Sequence, residues 1–298
     1  MEQATYDRMK KFFSPRHIAV VGATEKNQWF RNLAKYAEKI GFEGGLYPVN
    51  PSAREVCGIA AYPSVESLPE GLIDFAVIMV KSALVLQTME KLRIRGVRDI
   101  LLITSGYAEM GHEGSLKQEE LRHYCLEHDI LLMGPNCLGF LNMRDRAATF
   151  TGGSVEGELT PGAVALIGQS GATSEIIATK LLKKSLGISL FAATGNEAVL
   201  TTEDCLEYLI RDPGTRVIAG FIEGFRDIPR VKRIAAEALE RAVPLVFIKV
   251  GRSAKGVQAA RSHTGAMAGN DGVMSGFFRQ CGIIRVNTIE ELVETAGI

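Results

Sequence analysis

The chain lacks several features that would assign it to a class on sight. Its 298 residues include five cysteines, at 57, 125, 137, 205 and 281, an odd number with no C-x-x-C pair. That spacing supports neither a zinc site nor a disulfide framework, and reduced thiols in a cytosolic protein are the simplest reading. There is no excess of either charge, with 34 Lys+Arg against 34 Asp+Glu. A chain that grips nucleic acid by its phosphates carries a basic excess, so nucleic acid is not an expected partner. No apolar run approaches the roughly 20 residues of a membrane helix. The opening MEQATYDRMKKFF has no apolar core of the signal-peptide kind. The expectation is a soluble, cytoplasmic protein with no metal site and no membrane partner.

What is present is an ordinary globular composition, 46% hydrophobic and 23% charged. Short β-branched runs alternate with longer amphipathic stretches. Strands are expected over 18–21, 45–49, 75–80, 99–103 and 131–133, with helices over 30–40, 84–95 and 116–128 between them. A polar, Gly-rich stretch, 143–162, reads as a linker or an irregular crossing. The pattern then restarts, with strands over 163–167, 189–193, 217–222, 245–250 and 283–286 and helices over 173–184, 202–210, 229–241, 272–280 and 289–295. Alternating β and α elements predict parallel strands joined by crossover helices. Near-continuous apolar strands predict burial on both faces. The chain is read as two doubly wound α/β units, 1–145 and 146–298.

Ligands of open parallel sheets sit beyond the carboxyl ends of the strands, so the residues after each strand carry the information. Gly22, Ala23 and Thr24 follow the first strand, where a glycine lets the backbone turn tightly and approach a phosphate. The nicotinamide fingerprint needs three glycines and an acidic residue after the second strand. This chain has one of those glycines, and Asn50 and Pro51 in place of the acid. An NAD enzyme is therefore disfavoured, while the ADP moiety of another cofactor remains open. Later strands lead into Lys81 and Ser82, then Thr104, Ser105 and Gly106, then GPNCLG at 134–139. GPNCLG serves equally as a well-made turn or as a set of backbone amides and one Asn side chain against a polar ligand.

In the second half, strand 163–167 runs into Gly168, Gln169, Ser170, Gly171 and Ala172, then a helix. The small residues leave the first helical N–H groups open, and with the helix dipole they make an anion site. The P-loop lysine is missing, and so is the complete G-x-S-x-G of a hydrolase elbow. The stretch 251–272, GRSAKGVQAARSHTGAMAGNDG, is too long and too glycine-rich for a plain connection. It contains His263, followed by Thr264 and Gly265. An imidazole brought beside a helix N-terminus has a physical task, because phosphorylation adds close to two negative charges and such a terminus stabilises them by roughly 0.3–2 kcal/mol. A carboxylate on the other ring nitrogen would fix the tautomer. Glu223, at the end of strand 217–222, is the candidate partner; its alternative reading is a solvated loop glutamate.

The runs IAVVGAT, GPNCLG, ALIGQSGATSE, EYLIRDPGTRVIAGFIEG and RSHTGAMAG, in this order, resemble the ADP-forming acetyl-CoA synthetase and succinyl-CoA synthetase α-subunit family, known together as the NDP-forming acyl-CoA synthetases, over about residues 12–298. The resemblance implies a Rossmann-like CoA-binding unit followed by a flavodoxin-like phosphohistidine unit. It implies CoA contacts at Gly22, Ala23, Thr24, Asn50, Pro51, Lys81, Ile103, Thr104, Ser105, Gly134, Pro135 and Asn136. It makes His263 the phosphate carrier and Glu223 its partner, with Gln169, Ser170, Gly171, Ala172, Thr264 and Gly265 around the phosphate. The implied reaction interconverts acyl-CoA, phosphate and NDP with carboxylic acid, CoA and NTP through an acyl phosphate and a phosphohistidine. The Mg-nucleotide is expected on a separate ATP-grasp β-subunit, in an αβ or α2β2 assembly. A non-catalytic CoA- or acyl-CoA-binding regulatory module is the alternative.

Overall fold

The computed structural model describes residues 1–250 and 271–298. A helix, α1 (Gln3–Phe12), precedes the first unit. That unit runs β1 (His17–Val21), α2 (Gln28–Ile40), β2 (Gly45–Val49), a small hairpin of β3 (Glu55–Val56) and β4 (Ile59–Ala60), β5 (Phe75–Ile78), α3 (Val85–Ile94), β6 (Asp99–Leu102), α4 (His112–Glu127) and β7 (Leu131–Met133). Its main sheet has five parallel strands, in the order β2-β1-β5-β6-β7. The second unit runs β8 (Gly139–Asn142), β9 (Ala147–Ala148), β10 (Pro161–Gly168), α5 (Gly171–Lys183), β11 (Ile188–Ala193), α6 (Thr202–Leu209), β12 (Val217–Ile222), α7 (Ile228–Glu240) and β13 (Leu245–Lys249). Beyond residue 270 it continues with α8 (Asp271–Gln280), β14 (Ile284–Val286) and α9 (Ile289–Ala296). Its sheet order is β14-β13-β12-β10-β11-β8-β9, with β8 antiparallel to β11 and β9 antiparallel to β8.

Numbered by their place in each unit, the parallel strands of both sheets lie in the order 2-1-3-4-5. This is the doubly wound arrangement, Rossmann-like in the first unit and flavodoxin-like in the second. Strand order reverses between the first and third strands, and the ligand crevice of such a sheet opens there. In the first unit that point lies between β1 and β5, in the second between β10 and β12.

Two features differ from the sequence reading. The stretch 143–162, expected as a linker or an irregular crossing, contains β9 and the first residues of β10. The chain also enters the second sheet at Gly139, ahead of the expected division at 145, because β8 pairs with β11 from Leu190↔Asn142 to Ala193↔Gly139. The second feature is α1, where no element was expected. Its Met9 and Phe12, three residues apart, and Phe13 just beyond it are all buried. The Phe12 ring meets Phe75 of the first sheet at 5.0 Å and Phe140 of the second at 6.0 Å. Phe13 stacks on Tyr208 of α6 at 5.3 Å. One apolar cluster thus continues from sheet to sheet, and each phenylalanine buried in it contributes roughly 1.5–3 kcal/mol. This fixes the two crevices relative to each other.

Candidate functional site

In the first unit, Gly22 leaves β1 with φ +92°, and a Cβ built there would stand 3.0 Å from the carbonyl carbon of Met79. Only glycine meets both conditions without strain. The next turn is tied by Asn50, which is buried. Its Nδ2 donates to the carbonyl of Ala23 at 2.8 Å, and its Oδ1 accepts from the N–H of Ser52 at 2.8 Å and of Ala53 at 3.0 Å. Asn50 therefore spends its carboxamide on shaping the loop. Thr24, Pro51 and Lys81 are exposed at this edge, and Ala23 is buried. Ile103 and Thr104 are also buried, and the Thr104 hydroxyl donates to Val80 O at 2.6 Å, which leaves Ser105 as the exposed member of that turn. Gly134 and Pro135 are buried and joined by a cis peptide, and Asn136 follows, exposed, at φ +54°. Asn136 Nδ2 donates to Asn196 Oδ1 at 3.2 Å, so this loop touches the second unit directly.

In the second unit, β10 ends at Gly168 and α5 opens at Gly171 with no side-chain hydrogen bond from its N-cap, Ser170. The Ser170 hydroxyl donates instead to Thr173 Oγ1 at 3.2 Å. The opening N–H groups keep the positive end of the helix dipole available to an anion. A Cβ at Gly171 would lie 2.7 Å from the Leu138 side chain, which would have to move aside. Ala172 is exposed. Gln169 is different: it is 7% exposed and turned inward. Its Oε1 accepts from the N–H of Glu223 at 2.6 Å and of Gly224 at 3.1 Å, and its Nε2 donates to Gly224 O at 2.9 Å. The structure thus ties the residue beside the α5 opening to the loop bearing Glu223, across the β10/β12 switch point. Expected as a phosphate contact, Gln169 has its whole amide committed to the protein. His263, Thr264 and Gly265 lie outside the described residues.

Several polar residues escaped the sequence reading. Glu197, in the loop after β11, is 3% exposed. Burial pushes its carboxyl pKa up and the nearby Glu203 adds to this, while hydrogen bonds from Thr202 and Thr194 and the Arg226 cation oppose it. Asn196 bonds Glu109 Oε2 at 2.5 Å as well as Asn136. Lys249, 4% exposed at the end of β13, donates to Val250 O at 2.6 Å. Its pKa is lowered by burial first and by Arg285 next, against the pull of Asp271 and Glu223. A glutamate in the apolar run AATGNEAVL and a lysine closing FIKV are the signals in the sequence, since charged residues in such runs are rarely buried without a partner. Among the described residues no cluster of His, Cys, Asp and Glu is placed to hold a metal ion, and no helix is long and apolar enough to cross a membrane.

Two doubly wound α/β units, each with a crevice at its strand-order switch point, match two known domain families. Residues 16–143 match the CoA binding domain, and residues 161–298 match the succinyl-CoA ligase like flavodoxin domain. The chain belongs to the family of NDP-forming acyl-CoA synthetases. It is 36% identical over 292 residues to the acetate–CoA ligase [ADP-forming] II subunit alpha of Pyrococcus furiosus, covering 96% of this chain and 61% of that protein. It is 35% identical over 294 residues to acetate–CoA ligase [ADP-forming] I of Archaeoglobus fulgidus, covering 97% of this chain and 41% of that protein. The solved dinucleotide-forming acetyl-coenzyme A synthetase 1 of Ca. Korarchaeum cryptofilum, in complex with phosphate and ADP, superimposes with a TM-score of 0.86 at 33% identity, over 97% of this chain and 61% of that one. The chain therefore spans between two fifths and about three fifths of the length of these relatives.

Proposed function

We propose that the chain is the α-subunit-type component of an NDP-forming acyl-CoA synthetase, working in the cytoplasm with an ATP-grasp β-subunit that holds the Mg-nucleotide, in an αβ or α2β2 assembly. Residues 1–145 are read as the CoA-holding half and 146–298 as the phosphoryl-carrying half. The observation that carries this reading is the junction at the β10/β12 switch point, where the uncapped opening of α5 and the Glu223 loop are joined by Gln169. A pure CoA binder has no use for that junction, and the names of the matched relatives favour a ligase over a regulatory module.

The first unit suits an ADP-bearing ligand, because Gly22 removes the side chain that would block backbone approach and Asn50 holds the turn in place. Gly22, Ala23, Thr24, Pro51 and Lys81 would hold the ADP end of CoA, and Ile103, Ser105, Gly134, Pro135 and Asn136 the arm. CoA, when bound, supplies the thiol that leaves as the acyl group passes to phosphate in the NTP-forming direction and that takes the acyl group up in the reverse one. In the phosphoryl half, a nitrogen of the His263 ring attacks the phosphorus of the acyl phosphate. The bond from phosphorus to the acyl oxygen breaks, and the carboxylate leaves with that oxygen. The proton on the other ring nitrogen stays hydrogen-bonded to Glu223, and the N–H groups of Gly171 and Ala172 face the new charge with Ser170, Thr264 and Gly265 beside it. Transfer from His263 to NDP then restores the free imidazole and forms NTP. The acid partner is a small carboxylic acid.

The test is incubation with Mg-ATP labelled at the γ-phosphate and the ATP-grasp subunit. Acid-labile, base-stable label on the chain, absent in His263→Ala, is the expected result. CoA binding by calorimetry with no label on the chain would leave only the regulatory reading.

A further inference from the structure

Next to the proposed transfer site lies a buried polar group that the mechanism above does not use. Glu197 Oε1 accepts from Thr194 Oγ1 at 2.8 Å, from Thr202 Oγ1 at 2.5 Å and from Gln169 Nε2 at 3.1 Å. Its Oε2 stands 3.6 Å from Arg226 Nε. The backbone at Glu197 is left-handed, with φ +57°, a conformation that strains a non-glycine residue. A buried carboxylate is expensive as well, and an apolar residue of similar size would often stabilise a fold equally well. The arrangement makes sense through what it does to Gln169. A carboxamide has one accepting end and one donating end. Here the donating end meets a carboxylate and the carbonyl of Gly224, and the accepting end meets the N–H groups of Glu223 and Gly224. Turned over, the oxygen would face the Glu197 carboxylate and the NH2 would face two N–H groups. Glu197 thereby dictates which end of Gln169 is presented to the Glu223 loop.

We infer that Glu197 and Gln169 are positioning residues for the transfer step: the Glu197 carboxylate locks the Gln169 amide, and the amide clamps the backbone of Glu223 and Gly224 so that the Glu223 side chain is held at the switch point beside the α5 opening. This inference rests on the assignment of Glu223 as the partner of the phosphate-carrying histidine. The residues bearing on Glu197 from each packed element are Thr194 of the loop after β11, Thr202 and Glu203 of α6, Gln169 after β10 and Arg226 after β12.

The test compares Gln169→Met, Glu197→Met, Glu197→Gln and Glu223→Gln in the full complex with the ATP-grasp subunit. The measurements are kcat, KM for CoA, and hydrogen exchange of the Glu223 and Gly224 amides. A misplaced group near the chemistry costs roughly 10- to 100-fold in rate. Gln169→Met and Glu197→Met should lose kcat on that scale with KM for CoA within about twofold, and both amides should exchange faster. Glu197→Gln, which keeps an acceptor for Gln169, should recover part of the loss. Should Glu197→Met fail to fold, Thr202→Val, which removes one donor from Glu197, carries the test with a smaller fall in kcat and the same split. Slow turnover in Glu223→Gln together with unchanged kcat and amide exchange in the Gln169 and Glu197 variants would overturn this inference alone. Unchanged turnover in Glu223→Gln would overturn it together with the assignment it rests on.

Discussion

Gly22 shows how one residue can be fixed by two independent demands. Its φ of +92° and the 3.0 Å approach to Met79 both exclude a side chain, so Gly22→Ala should cost about 1–3 kcal/mol and weaken CoA binding. Denaturant titration and calorimetry with CoA check this, and an unchanged midpoint would contradict it. Asp99 makes a prediction of another kind. Its side chain is 18% exposed at the start of β6, 3.9 Å from Arg8 Nε. Burial raises its pKa to about 6 from 3.8, with Arg8 opposing and Asp74 and Asp129 adding. The folded protein thus holds the proton more tightly than the unfolded chain. This group's contribution to stability is therefore fully present below about pH 4 and lost as pH rises through about 6. Asp99→Asn should gain on the wild type across that window, by roughly 2–3 kcal/mol at about 1.4 kcal/mol per pKa unit, read from urea unfolding at several pH values. Gly22 was legible in the sequence because a glycine directly after an apolar run has few other uses. Glu197 was legible only in part: its apolar surroundings signal a buried charge, but nothing near it in the sequence announces that Gln169 and Arg226 converge on it from distant segments alongside Thr194 and Thr202.

Among the elements, those with a strong period were readable and those held by long-range contacts were not. Strands such as β11 and β12, with nearly every residue buried, and helices such as α7, opened by Asp227 and a proline in its first turn, state themselves locally. The strand β8 has four residues, follows a Gly-Pro-Asn turn, and exists because β11 offers it an edge. The helix α1 is short, with only Met9 and Phe12 buried, and its place is set by Phe75, Phe140 and Tyr208, far away in sequence. Phe12→Ala should accordingly cost about 3–5 kcal/mol, the usual loss for a buried phenylalanine, measured by chemical denaturation. A loss below about 1 kcal/mol, the scale of an ordinary surface change, would mean that α1 does not join the two units. At α6, Thr201 and Asp204 cap each other's backbone N–H, so Thr201→Ala should cost about 1 kcal/mol in the same assay.

For the molecule as a whole, the alternation of strands and helices made both sheets legible, and the strand-order reversals then put the two crevices where the glycine-rich turns lie. What the alternation does not contain is how the units meet. That is decided by α1, by β8 and by the Asn136–Asn196–Glu109 contacts, each a side-chain or edge interaction between segments distant along the chain. The result is that a loop proposed to hold the CoA arm touches the same segment that, through Glu197 and Gln169, reaches Glu223. The second crevice is proposed to pass phosphoryl through the imidazole of residue 263. This is tested most directly by mixing the protein with labelled acetyl phosphate and other acyl phosphates, without nucleotide, and quenching at short times. A phosphoryl group bound through nitrogen is expected in the wild type, none in His263→Asn, and formation slowed by roughly 10- to 100-fold in Glu223→Gln. Equal labelling of His263→Asn and the wild type would contradict it.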